Sequence, residues 1–120
     1  MNILYKSFFE LEELVFIVSE NVDIENAKPF IGVIEEQPWL FIFTDSKKAD
    51  QYAKTFGKFL NNNGSTFVLK MKMKNSLDMA KELNKRGVFG VRINEGENAW
   101  FSNIPGLFDV ITHLGINVDK

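Results

Sequence analysis

Few residues in this chain could do chemistry, and each has a plainer use. His113 is its one histidine. A histidine acts as a general base when a partner orients it beside a nucleophile or substrate proton. Asp109, four residues earlier, shares its helix face. The position near a helix end equally suits a surface imidazole favoured by the helix dipole. Asp23, Glu25, Glu35 and Glu36 gather carboxylates in the first half. Paired carboxylates hydrolyse bonds when held at a set separation with one of them protonated. These fall in a loop and at a hairpin tip, where water solvates them. Calcium requires about six or more converging oxygens, and no loop, Glu95-Gly96-Glu97 included, has that spacing. Gly87-Val88-Phe89-Gly90 lacks both the glycine pattern and the following helix of a phosphate loop. The chain has no Cys, which excludes disulfides, thiolate zinc sites and cysteine nucleophiles. The sequence therefore assigns no catalytic residue, no cofactor and no metal.

Two groups remain as a candidate partner surface. Lys70, Lys72 and Lys74, with Lys54 and Lys58 on the preceding helix, could form a basic face for an acidic protein or RNA. The same lysines could guard an edge strand against unwanted pairing. An acidic sequence pI of 5.4 disfavours a dedicated nucleic-acid binder. Trp100 and Phe101, next to Ser102 and Asn103, read as core rim or as interface anchors, and Trp39 shares that ambiguity.

The elements that must position these residues follow from periodicity. Leu14–Ser19 is β-branched and aromatic, hence a strand. Residues 1–13 have helical spacing and Glu20–Lys28 reads as a loop. Pro29 opens a strand over Phe30–Glu35. Glu36-Gln37-Pro38 turns it into Trp39–Thr44, an antiparallel hairpin. Leu40–Phe43 are apolar without alternation, the pattern of a central strand covered on both faces. Thr44-Asp45-Ser46 supplies oxygens to cap a helix whose apolar face is Ala49, Tyr52, Ala53, Phe56 and Leu60. Its end is expected at Gly57 or at Asn61–Gly64.

Thr66–Met73 alternates, which predicts a strand with Phe67, Leu69, Met71 and Met73 on a dry face and the lysines on a wet one. Asn75 or Ser76 is expected to cap the next helix, and Gly87 to stop it. Val88–Ile93 is a strand, residues 94–98 a turn and Ala99–Ser102 a short return strand. Pro105 suits the first turn of a last helix that Gly115 closes. Two strand-helix-strand crossovers, 39–73 and 66–93, predict parallel neighbours with right-handed connections.

Composition bounds the rest. A chain of 120 residues, 45% hydrophobic and 25% charged, reads as one soluble domain spanning 1–120. Twelve Phe supply a core that needs no staples. No window approaches the ~18 apolar residues of a membrane span. The acids in the first thirteen residues speak against a signal peptide, so a cytoplasmic protein is expected. Residues 1–45 carry nine acids and two lysines, whereas 46–86 carry ten bases and three acids. Such asymmetry suits a partner surface or neutralisation within the fold.

The hairpin into Trp39-Leu40-Phe41-Ile42-Phe43-Thr44-Asp45, the helix with Ala49 and Tyr52, the lysine strand followed by Leu77-Asp78-Met79-Ala80, and Gly87–Gly96 come in a recognisable order. Over residues 14–97 this resembles the amino-terminal domain of the SseB family (enhanced serine sensitivity proteins). Glu95 stands where that family usually has Pro. The resemblance implies an α+β domain without an established enzymatic site, and it hands over no catalytic residue. The expectation is thus a single α+β domain, a mixed sheet of five or six strands with three or four helices, that binds another protein. Neutralising a toxin as an immunity-type protein is one form of that function. Pairing with a second copy through the Trp100-Phe101 hairpin or a sheet face is another. The alternative is a small-ligand or enzymatic domain whose site is invisible in the sequence.

Overall fold

Apolar runs without alternation need cover on both faces, and the fold supplies it. In a computed structural model the described residues are 7–18, 29–60, 67–95 and 99–116. Their strands are β1 Glu13–Val18, β2 Ile31–Ile34, β3 Gln37–Ile42, β4 Phe67–Lys72, β5 Gly90–Ile93 and β6 Trp100–Asn103. The helices are α1 Ser46–Leu60, α2 Met73–Lys85 and α3 Ile104–Leu114, and a helical turn covers residues 7–9. The chain is a compact α+β domain with a mixed strand pattern, as expected. The expected loop at Glu20–Lys28, the Asn61–Gly64 segment and residues 96–98 of the turn lie outside the described residues.

The strands form a two-stranded ribbon, β1-β4, and a four-stranded sheet ordered β2-β3-β5-β6. They are joined where Val15 and Phe43 exchange backbone hydrogen bonds of 2.9 and 2.8 Å. Phe30 N–H also donates to Ile17. Leu40 and Ile42 enter one core with Leu14, Phe16, Met71, α2 and α3. Phe41 and Phe43 enter a second with Val15, Ile17 and α1 residues Ala49 and Ala53. β3 is therefore buried on both faces, as its lack of alternation predicts.

Neither of the two expected parallel pairings, β3 with β4 and β4 with β5, forms. β3 and β5 are parallel, with Leu40 opposite Val91, and the connection runs through α1, β4 and α2. β4 leaves that sheet and pairs antiparallel with β1. Neither crossover that ends or begins on β4 thus joins parallel neighbours. β1 already offers a free edge there, so β4 completes its ladder.

The hairpin turns at Glu35-Glu36 rather than at Glu36-Gln37-Pro38, since Gln37 and Pro38 pair with Ile34 and Val33. Glu35 and Glu36 take φ of 53° and 70°, the left-handed pair that a two-residue hairpin turn demands. Helix α1 runs through Gly57 to Leu60.

Asp45 begins α1 as the sequence suggests. Its Oδ1 accepts from Lys48 N–H at 2.8 Å and its Oδ2 pairs with Lys48 Nζ at 3.1 Å. That backbone hydrogen bond, then the lysine charge, holds the carboxyl below the usual 3.8 despite some burial. A lowered folded-state value stabilises the fold above pH 3.8, and the gain is lost as pH falls through the folded value. Asp45→Ala is expected to cost about 1 kcal/mol near neutral pH. In paired urea titrations across pH 2–7 (roughly the carboxylate range), the gap to wild type should close at the acid end. A pH-independent gap would show that the carboxylate charge contributes nothing.

Candidate functional site

The expected lysine row divides at the end of β4. Lys70 and Lys72 lie on the strand and are exposed, but Lys74 already belongs to α2, which starts at Met73. Neither Asn75 nor Ser76 caps this helix. Lys72 occupies the cap position without a side-chain bond, and Ser76 is buried with its hydroxyl donating to Met71 O at 3.2 Å. Met73 N–H is held instead by Glu12 O at 2.9 Å. This backbone tie extends the β1-β4 ladder by one step, so the helix begins earlier than side-chain caps would suggest.

The dry and wet faces expected of β4 also need correction. Met71 is buried, yet Phe67 is exposed, and Val68 on the lysine side packs into the second core. α1 covers part of that side because it packs on both β1 and β4. Lys70 and Lys72 remain exposed, so that side is wet only toward the end of the strand. Lys54 is exposed on α1.

Lys72 and Lys74 do meet elsewhere. With Phe9, Leu11, Glu12, Glu13 and Met73 they line a cleft of about 320 Å³. Glu13 is the register partner of Lys72. Phe9 and Met73 are buried, while the four charged side chains are exposed. Lys70 is not among the lining residues.

Trp100 and Phe101 go to opposite sides of β6, as successive strand residues must. Trp100 is half-buried and meets Phe8 edge-on at 5.3 Å, and Phe8 meets Phe9 in the same way at 5.1 Å. Phe101 stays 59% exposed. It stands edge-on to Trp39, with centroids 5.6 Å apart, and Phe89 does the same at 5.1 Å. Trp39 itself is buried, and its Nε1 donates to Ile34 O at 3.3 Å. Its ring lies across Gly90, where a Cβ would approach it to 2.7 Å.

Arg92 completes this patch. Its guanidinium lies 4.7 Å from the Trp39 ring and 4.8 Å from the Phe101 ring. Its Nη1 reaches both Glu95 oxygens at 3.5 Å, and its Nε is buried without a hydrogen-bond partner. Asn94 anchors the end of β5 by accepting from Thr44 N–H at 3.0 Å and donating to Thr44 Oγ1 at 3.1 Å.

Sequence reading named Phe101 but missed Phe89 and Arg92. Arg92 is two residues beyond Gly90 on the same strand, and that spacing marks a shared face. The register that puts Arg92 opposite Phe101 has no local signal.

The other candidates stay apart. His113 and Asp109 are exposed on α3. Glu35 and Glu36 are exposed at the hairpin tip, and Asp23 and Glu25 lie outside the described residues. Burial, then the Glu95 charge, raises the Tyr52 phenol above 10.0. Among the described residues no three His, Asp or Glu converge as a metal site. No described helix is long and apolar enough to cross a membrane. Neither a known protein family nor a curated protein matches the chain.

Proposed function

We propose that the chain is a cytoplasmic, non-enzymatic protein-interaction domain that seats its partner on Phe89, Phe101 and Arg92. The observation that carries this reading is the pair of exposed rings flanking a buried Trp39. Exposing two large rings on one patch forfeits burial, which a folded chain recovers when a partner covers them. Aromatic residues and arginine are also the types that dominate interface energetics. Here they are held in place beforehand, Arg92 between two rings and Trp39 by its hydrogen bond. A preset patch loses little side-chain entropy on binding. The resemblance to the SseB amino-terminal domain points the same way, because it implies no enzymatic site.

The test compares tagged wild type with the Phe89→Ser/Phe101→Ser double variant as baits in extract of the native host. Bound proteins are quantified by mass spectrometry, and circular dichroism checks the fold of both baits. A partner retained by wild type and reduced about tenfold or more by the variant supports the proposal. Equal capture by both baits, or none by either, overturns it. Sedimentation of the purified proteins separates a second copy from a foreign partner, because only a homodimer dissociates in the variant without extract.

A further inference from the structure

A second site is independent of the aromatic patch. The cleft of about 320 Å³ between residues 9–13 and the β4-α2 junction has an apolar floor and a rim of both charges. That volume is at the lower end of small-molecule sites, which span about 300 to 1,000 Å³. Buried Phe9 and Met73, with half-buried Leu11, form the floor. Phe9 is backed by Phe8 and, behind it, Trp100. The walls are tied together by Met73 N–H on Glu12 O and by the Glu13-Lys72 register pair. Such a floor is preformed, and half-buried Leu11 is the floor residue that keeps accessible apolar surface for a ligand to cover.

The rim selects the ligand. The β4-α2 junction contributes Lys72 and Lys74 to the rim, and the adjoining β1 segment contributes Glu12 and Glu13. A simple anion meets two carboxylates there, and a simple cation meets two ammonium groups. A molecule that carries both charges satisfies both sides, with its apolar part against Leu11 above the buried Phe9 and Met73. We propose that this cleft binds a small zwitterion with an apolar group, the chemistry of a free amino acid with an aromatic or branched aliphatic side chain. Its carboxylate faces Lys72 and Lys74, and its ammonium faces Glu12 and Glu13. Charge-assisted hydrogen bonds at both ends orient it.

The test is an amide-resolved NMR titration of the full chain with L-phenylalanine and L-leucine. Three controls each lack one part: 3-phenylpropionate has no ammonium, phenethylamine no carboxylate and glycine no apolar group. The expected result is saturable shifts of the Glu12, Glu13, Met73 and Lys74 amides with L-phenylalanine or L-leucine. Each control should bind about tenfold more weakly or worse, as should Lys74→Glu and Glu12→Lys. If a reversal disturbs the spectrum, Lys74→Gln and Glu12→Gln replace it with the same expectation. The proposal is overturned by the absence of saturable shifts up to about 10 mM, an affinity too weak to be specific. It is equally overturned if the single-charge controls bind as well as the amino acids, or if the charge variants bind as wild type does. The aromatic patch stands or falls separately, since none of its residues lines the cleft.

Discussion

Gly90→Ala is expected to lower the unfolding free energy by about 3 kcal/mol. A Cβ at position 90 would stand 2.4 Å from Ser102 O and 2.7 Å from Trp39 Cζ3. Neither neighbour has an easy retreat. The carbonyl belongs to β6, whose ladder with β5 places Gly90 opposite Asn103 and Val91 opposite Ser102. The indole is pinned by its bond to Ile34 and flanked by Phe89 and Phe101. Either β6 parts from β5 or Trp39 leaves its bed, and Phe101 and Arg92 move with it. Urea unfolding measures the loss, and tryptophan emission reports the ring. A loss below about 0.5 kcal/mol, the scale of an ordinary surface change, would show that the strand gives way freely. Strand glycines often mark such close approaches, and the first cost of filling this one would fall on the proposed docking patch.

Phe43→Ala should cost about 3–5 kcal/mol, a large share of the roughly 5–15 kcal/mol that holds a typical domain. Its ring is 1% exposed, sits 5.6 Å from Tyr52 and belongs to the second core. Phe43 is also the joint between the ribbon and the four-stranded sheet, through its paired bonds to Val15. Removing the ring leaves those backbone bonds formally possible but opens a cavity beside them. Hydrogen exchange at Val15 and Phe43 should accelerate more than exchange within β5 and β6. Equal acceleration everywhere would mean that the two sheets unfold as one unit and that the joint has no separate weakness.

Much of this architecture was legible because it depends on local rules. The run Leu40–Phe43 announces burial on both faces. Asp45 supplies the first cap of α1. Gly87 and Gly115, with φ of 106° and 63°, end helices where the chain needs left-handed backbone. Asn103 caps α3 through Gly106 N–H at 2.6 Å, two residues before Pro105. Where a local rule failed, a non-local partner was the cause. Asn75 and Ser76 have capping chemistry, but Glu12 O had already captured Met73 N–H and started α2 upstream. The lysine alternation was real for Lys70 and Lys72, and it ended when Lys74 turned into the helix.

Composition and periodicity by themselves determined an α+β domain with buried β3, a hairpin before it and helices after β3, β4 and β6. Spacing and caps are properties of neighbouring residues, and a single sequence displays them. Tertiary structure alone decided that β4 joins β1 instead of flanking β3 or β5. The choice rests on which strand edge is open, a fact of assembly and not of any segment. It also decided the candidate sites. Register carries Phe101 opposite Arg92 and lays Trp39 across Gly90, while the Glu12-Met73 bond brings Glu13, Lys72 and Lys74 around one cleft. Residues distant in sequence become neighbours only when the ladders close, and local patterns hold no record of that pairing.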